Sequence, residues 1–284
     1  MKITKSILAS LAVGIIATSG NALAANPPWV GTADYKLAPG ATGDEDKVGP
    51  FSTYDLAANS PVLIQGLNGS NPLAPQMGNS FQGYYQSYIS QHQLGNLGVA
   101  SPNLNTLGSG TGYELTMVTD FQETITNPTS TGFTFDITGG STKLYFDTTP
   151  DYNFIGDSGF TDVISSAILT GTVIGGQGAF INGGGFGFTT LDVKVDSYDT
   201  NVFDPDTIAA GNGIFTLQLD PTGGSSSGIT SVQNHVRGAN DALLMADGNM
   251  ALTVPEASTY IMMLMGVGMV GFMAVRRRRN TFAS

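Results

Sequence analysis

The strongest constraint on the fold is an alternation of apolar and polar residues with a period of two. It runs from Tyr113 to Met117 and from Phe133 to Ile137, and it recurs from Leu191 to Val195 and from Phe215 to Leu219. A period of two places alternate side chains on one face of a β-strand. Glycine-rich turns separate these segments, and no long amphipathic helix is present. The sequence therefore predicts an all-β domain, a sandwich or jelly roll, over residues 80–253.

Three segments around this pattern are less regular. Residues 25–79 are rich in Pro, Gly and Asn and are predicted to form a partly ordered N-terminal arm, with Trp29 packed against the core. Residues 163–174 predict one long strand or a pair of strands. Residues 241–246 fit either a short helix or a last strand.

The C-terminal region has a different character. Residues 258–275 carry no charge, and about 18 residues at about 1.5 Å each span about 27 Å, close to the thickness of a hydrocarbon core. The cluster of Arg276, Arg277, Arg278 and Arg279 follows directly. A cluster of arginines directly after an apolar helix stays in the cytoplasm. The chain before the helix therefore lies on the opposite side of the inner membrane. The alternative for such an apolar run is a buried core helix.

The N-terminus has the three parts of a secretory signal peptide. Lys2 and Lys5 form a basic region, residues 7–17 form an apolar region, and Ala22-Leu23-Ala24 is a small-residue cleavage site. We therefore predict that residues 1–24 are removed on export and that the mature chain begins at Ala25. A retained transmembrane helix is the alternative.

The charge of the exported part limits its partners. The whole chain has a net charge of −11, but residues 25–254 contain five basic and twenty-one acidic residues, a net charge of −16. Nucleic acids and anionic membranes are excluded as partners, because they require basic patches. The absence of cysteine excludes thiol catalysis and thiolate zinc sites. Neutral polysaccharides and cations remain compatible.

A short motif precedes the apolar run. Val254, Pro255, Glu256 and Ala257, followed by the apolar helix and the four arginines, resemble the PEP-CTERM sorting signal of Gram-negative bacteria, so residues 254–284 are assigned to it. Ala257 stands where that family has a second proline. The resemblance implies that an exosortase reads the motif, that the helix is held transiently in the inner membrane, and that the ectodomain reaches the cell surface or the medium.

A second resemblance covers roughly residues 60–220. The segments 112–123 and 143–147, and the acidic turn at Asp157 before the strand 164–174, look like the flocculation-associated PEP-CTERM proteins. That resemblance implies a structural, non-enzymatic role in flocculation or biofilm formation, with exopolysaccharide as the partner in the extracellular matrix.

One tetrapeptide is similar to a catalytic motif. Gly156-Asp157-Ser158-Gly159 resembles the nucleophile segment of trypsin-like proteases, but a serine nucleophile needs a histidine base. The chain contains two histidines, His92 and His235. Neither lies in the sequence context that the trypsin-like family has around its catalytic histidine. We interpret the tetrapeptide as a turn, and we predict no catalytic residues.

Two binding hypotheses remain from the sequence. Oxygen ligands spaced every few residues in a loop suit calcium, and Asp147, Asp151, Asn153 and Asp157 form one such set, with a second set at Asp196, Asp199, Asn201, Asp204 and Asp206. The same residues are also ordinary turn formers. A carbohydrate-binding module is the other hypothesis, with Tyr84, Tyr85 and Tyr88 as exposed platforms for sugar rings.

Overall fold

The computed structural model describes residues 27–67, 76–106, 112–130, 132–161, 166–181, 186–208, 214–221 and 226–254. Within these ranges the chain forms strands and one short 3-10 helix, Tyr35–Leu37, which confirms the all-β prediction. The same ranges hold no helix of the length and apolarity needed to cross a bilayer. The predicted signal peptide, the residues from Pro255 onward and the arginine cluster lie outside the described residues.

Fifteen strands are found in these ranges. The first eight are β1 (Gly31–Asp34), β2 (Lys47–Phe51), β3 (Thr53–Leu56), β4 (Ser60–Gln65), β5 (Ser80–Leu94), β6 (Leu97–Val99), β7 (Glu114–Thr129) and β8 (Gly132–Asp147). The others are β9 (Ser166–Ile181), β10 (Phe186–Tyr198), β11 (Phe203–Asp204), β12 (Ile214–Pro221), β13 (Ser231–Val232), β14 (His235–Val236) and β15 (Ala242–Ala251).

Ten of these strands form one antiparallel sheet that closes on itself. The strands β12, β10, β9, β8, β7 and β5 are neighbours in that order, and the short strand β6 also pairs with β5. Next, β5 pairs with both β3 and β4, these two pair with β15, and β15 pairs back with β12. Strands on opposite sides therefore face each other across one core, the sandwich-like arrangement that the sequence predicts.

The apolar residues of the period-two pattern lie on the inner face of this sheet. Leu191, Val193 and Val195 of β10 are buried, and so are the alternate apolar residues of β7 and β8. The prediction for 215–219 is confirmed as strand β12, whose side chains lie outside the described residues. The polar partners in β7 differ from expectation, because Glu114 and Thr116 are buried too. Both faces of that part of β7 are covered.

The segment predicted as an arm supplies four strands and closes one end of the interior. Strands β3 and β4 lie in the main sheet, whereas β1 and β2 pair in a small sheet with β11. Trp29 is fully buried, as predicted, and donates a hydrogen bond to the Pro205 carbonyl at 3.0 Å. It packs edge-on against Phe51 and Phe203. The segment 241–246, which fits a short helix or a strand in the sequence, begins strand β15 (Ala242–Ala251).

A polar cleft on the outer face as candidate functional site

The site begins with the outer face of β5. Successive residues of a strand point to opposite faces, and on β5 the side chains of Tyr84, Gln86 and Tyr88 lie outside the closed sheet. Tyr85 points inward and is fully buried, and burial raises the pKa of its hydroxyl well above the usual value. The hypothesis that Tyr85 is an exposed sugar platform is therefore wrong, whereas Tyr84 and Tyr88 lie on the outer face and are half-buried.

A long loop between β8 and β9 covers the neighbouring strand β7. Thr116 donates a hydrogen bond to the Phe160 carbonyl at 3.0 Å, and Glu114 Oε2 accepts the backbone N–H groups of Asp151 at 3.1 Å and Tyr152 at 3.3 Å. These contacts explain why polar outward residues of β7 are buried. Burial, with the nearby Asp151 and Asp147 charges adding to it, raises the pKa of Glu114 to about 8 despite the two N–H donors.

The loop turns sharply at the tetrapeptide that resembles a protease motif. Asn153 and Ser158 exchange backbone hydrogen bonds at 2.9 and 3.2 Å, and the Asn153 side chain accepts the amides of Ile155 and Gly156. Gly159 has φ +78, and a Cβ there would lie 2.6 Å from the backbone of Tyr152. The turn therefore requires glycine, which confirms the interpretation of this segment as a turn.

A hairpin from the C-terminal part of the chain meets this turn. Strands β13 and β14 are joined by Gln233 and Asn234, whose φ angles are 53° and 63°, as a type I′ turn requires. Asp157 accepts the N–H of Gln233 at 3.0 Å through Oδ1 and the N–H of Asn234 at 2.7 Å through Oδ2. One carboxylate thus holds the two amides at the hairpin tip.

Two glutamines tie the hairpin to the sheet. Gln86 Nε2 donates to Asp157 Oδ1 at 2.9 Å, and Gln86 Oε1 accepts the N–H of Gln233 at 2.8 Å. The Gln233 amide donates to the carbonyls of Tyr85 at 2.7 Å and Thr119 at 3.0 Å. Because its hydrogen bonds are satisfied internally, this network fixes the floor of the cleft in one geometry.

The resulting cleft has a volume of about 260 Å³. Its exposed rim presents the hydroxyls of Ser158 and Thr161 and the side-chain amide of Asn234. Its other lining residues are Gln86, Val118, Asp157, Gly159, Phe160 and Gln233. Neutral hydroxyl and amide groups predominate, and these are the groups that exchange hydrogen bonds with sugar hydroxyls.

Stacked aromatic rings lie on both sides of the cleft. Tyr84 stacks on His235 with ring centroids 3.7 Å apart, and Tyr88 stacks on Tyr152 at 3.8 Å. Gln86 lies between the two tyrosines on the same face of β5, so the two stacks flank the polar floor. His235 is exposed at the hairpin end, where its free ring face is available to a ligand.

The predicted calcium residues are placed around this loop without a common centre. Asn153 and Asp157 use their oxygens on backbone amides, and Asp147 Oδ1 accepts the N–H of Thr149 at 2.7 Å. In the second set, Asp199 accepts the backbone N–H of Asn201. Within the described ranges, no group of three or more acidic or histidine side chains is arranged to hold a metal ion. Calcium binding stays a prediction of the sequence.

Ser158 and the two histidines, which a serine protease mechanism would require side by side, do not lie together. His92 is buried inside the sheet, and its Nε2 lies 2.7 Å from the hydroxyl of Tyr35. His235 stacks on Tyr84, and in the described part of the chain no hydrogen bond joins Ser158 to either histidine. The sequence analysis missed the residues that build the cleft floor, Gln86 and Gln233. The available signal was the dipeptide Gln233-Asn234 between two short pairs that each contain a valine, Ser231-Val232 and His235-Val236.

The antiparallel scaffold thus carries a polar cleft on its outer face, with stacked aromatic rings on both sides. Comparison with protein families matches residues 253–279 to the PEP-CTERM protein-sorting motif. The chain therefore carries a PEP-CTERM sorting signal, despite Ala257, and the motif implies processing by an exosortase and a place at the cell surface or outside the cell. The comparisons with curated proteins and with solved structures give no match.

Proposed function

We propose that this PEP-CTERM protein is a non-enzymatic surface protein of a Gram-negative bacterium that acts in exopolysaccharide-dependent cell aggregation. In this proposal the outer cleft binds a neutral polysaccharide, and no cofactor is needed. The observation that carries the proposal is the polar floor at Gln86 between the stacks of Tyr84 on His235 and Tyr88 on Tyr152.

Three features of the cleft support a sugar as the ligand. Aromatic faces pack against the apolar face of a sugar ring, while hydroxyl and amide groups bind its edge. The rigid network of Gln86, Asp157 and Gln233 holds these groups in place before binding, which lowers the entropic cost of association. The charge of −16 on residues 25–254 disfavours an acidic polysaccharide.

Affinity electrophoresis of the purified protein in gels containing dextran, galactomannan or hydroxyethylcellulose tests the proposal. At least one of these neutral polymers is expected to retard the protein, whereas alginate is not. His235→Ala removes the exposed ring and is expected to weaken retardation about fivefold, the effect of about 1 kcal/mol. Phe188→Ala is the matched control, because Phe188 is an exposed aromatic residue on β10, outside the cleft lining.

The cellular part of the proposal has its own test. Cells lacking the protein are expected to settle more slowly, and the wild-type chain but not His235→Ala should restore aggregation. The proposal fails if no neutral polymer retards the protein, or if His235→Ala and Phe188→Ala behave alike in the gels.

A further inference from the structure

The interior of the closed sheet holds a second candidate site, separate from the outer cleft. A cavity of about 40 Å³ lies at the end opposite Trp29, where β4 and β7 end and β8 and β15 begin. The half-buried residues Phe180, Ala242 and Leu244 form its mouth. Its other lining residues are Val62, Ile64, Leu67, Phe121, Glu123, Phe133, Phe135, Ala179 and Thr189.

Glu123 breaks the inward pattern of its strand. The neighbouring inward positions of β7, Phe121 and Ile125, are apolar and buried, and Glu123 is only 4% exposed between them. On the paired strand β8 the register shifts beside Glu123, because Thr138 is an extra residue, which makes a β-bulge. Bulges re-aim side chains and are frequent next to functional sites.

The Glu123 carboxyl has no hydrogen-bond or ionic partner among the residues that the structure describes. The five basic residues of the exported part, Lys36, Lys47, Lys143, Lys194 and Arg237, are all exposed on the outside. Burial raises the pKa of Glu123 to about 8. A lone buried carboxyl is destabilising, and residues that violate the local pattern without compensation are typically functional.

We propose that this cavity binds a primary aminoalkyl group, with its ammonium paired to Glu123 and its carbons among the surrounding apolar side chains. A cavity volume of about 10–15 Å³ accommodates one water-sized group. This cavity therefore has room for about three or four heavy atoms. An ethyl or propyl ammonium group, free or at the end of a larger molecule, has this size.

The charge of the chain favours an ammonium over other head groups. A carboxylate ligand is repelled by the net charge of −16 on residues 25–254. A neutral alcohol can hydrogen-bond the protonated carboxyl but does not stabilise its charged form. An ammonium stabilises the charged carboxylate through a charge-assisted hydrogen bond.

The proposed pairing changes the protonation of Glu123. In the empty protein at pH 7 the carboxyl holds its proton, and binding of an ammonium releases that proton to solvent while the ligand keeps its own. The affinity is therefore expected to rise about tenfold for each pH unit between 6 and 8 and then to level off. A neutral ligand would show no such dependence.

The experiment is an NMR titration of the intact protein with propylammonium chloride, followed on the methyl signals around the cavity at pH 6, 7 and 8. Propanol and propionate are the ligand controls. A dissociation constant in the millimolar range is expected for so small a ligand. Glu123→Gln should weaken binding at least tenfold and abolish its pH dependence. Ala242→Leu should block the cavity, because Ala242 lines it beside the inward residue Ile64.

Glu114→Gln is the matched control, because Glu114 is also a buried carboxyl with a raised pKa but lies on the outer face of β7. It should leave propylammonium binding unchanged. Equal affinity for propanol and propylammonium, binding that survives Glu123→Gln, or no binding of propylammonium to the wild-type protein overturns the proposal.

Discussion

Asp157 accepts a hydrogen bond from the backbone N–H of Asn234 at 2.7 Å, although the two residues lie 77 positions apart in the chain. The other oxygen of the same carboxylate receives Gln86 and the N–H of Gln233. The cleft therefore exists only while the β8–β9 loop and the β13–β14 hairpin are joined at this point.

The first prediction concerns this junction. Asp157→Ala should lower the free energy of unfolding by about 1–3 kcal/mol, because charge-assisted hydrogen bonds to two amides and a glutamine are lost. Urea denaturation measures the effect. Asp136→Ala, at an exposed aspartate of β8, should change stability little. Equal stability of Asp157→Ala and wild type would contradict the assigned role of this carboxylate.

The strands of the fold were predictable because burial on one face leaves a direct trace in the sequence. Leu191, Val193 and Val195 show that trace, and each is buried. Which side chains of β5 point inward was not predictable. Phe81, Tyr85 and Ile89 are spaced by four residues, and this spacing fits a helix as well as a strand. The sugar-platform hypothesis groups Tyr85 with Tyr84 and Tyr88, although adjacent residues of a strand point to opposite faces.

The cleft itself leaves little trace in the sequence. Its floor joins Gln86, Asp157 and Gln233, which come from three distant segments and meet only through the closure of the sheet. Alternation predicts that Glu114 faces solvent, because it does not reveal the loop that covers the outer face and buries this residue. The inward position of Glu123 could have been inferred, because it lies in phase with Phe121 and Ile125.

The second prediction is a pH dependence of stability. The pKa of Glu123 is raised to about 8 in the folded chain from about 4.3 in an unfolded one. The unfolded state therefore loses this proton first, and stability falls as pH rises between these values. Glu123→Gln should remove this loss, so the variant should exceed wild type by a few kcal/mol at pH 8 and 9. Urea denaturation at pH 4 to 9 measures the difference; the same slope in both proteins would refute it.

The third prediction concerns the aromatic end of the core. The buried Tyr35 hydroxyl lies 3.0 Å from the Tyr54 hydroxyl and 2.7 Å from His92 Nε2. Tyr35→Phe leaves two buried polar atoms without this partner, so it should destabilise the protein by about 1–3 kcal/mol. Thermal unfolding checks this. Tyr145→Phe, at a half-buried outward position of β8, is the control and should stay close to wild type.

The fourth prediction tests the calcium hypothesis. Asn153 and Asp157 already use their side-chain oxygens on backbone amides, and a cation would have to displace those bonds. We therefore expect calorimetric titration with calcium chloride to give no binding heat and no change in melting temperature. A rise in melting temperature that Asp151→Asn abolishes would instead establish calcium binding at this loop.

The last prediction concerns processing of the exported protein. The motif match at residues 253–279 implies cleavage by an exosortase, and the signal peptide predicts removal of residues 1–24. Intact-mass measurement of the released protein should therefore give a chain that starts at Ala25 and ends between Val254 and Ala257. The described structure continues to Val254, whose N–H bonds the Pro27 carbonyl at 2.9 Å. A cut after Val254 thus preserves the folded domain.

Replacing Arg276 to Arg279 by glutamine should reduce processing, because the stop that holds the motif at the membrane is lost. Released protein with an intact C-terminus would show that the signal is not used.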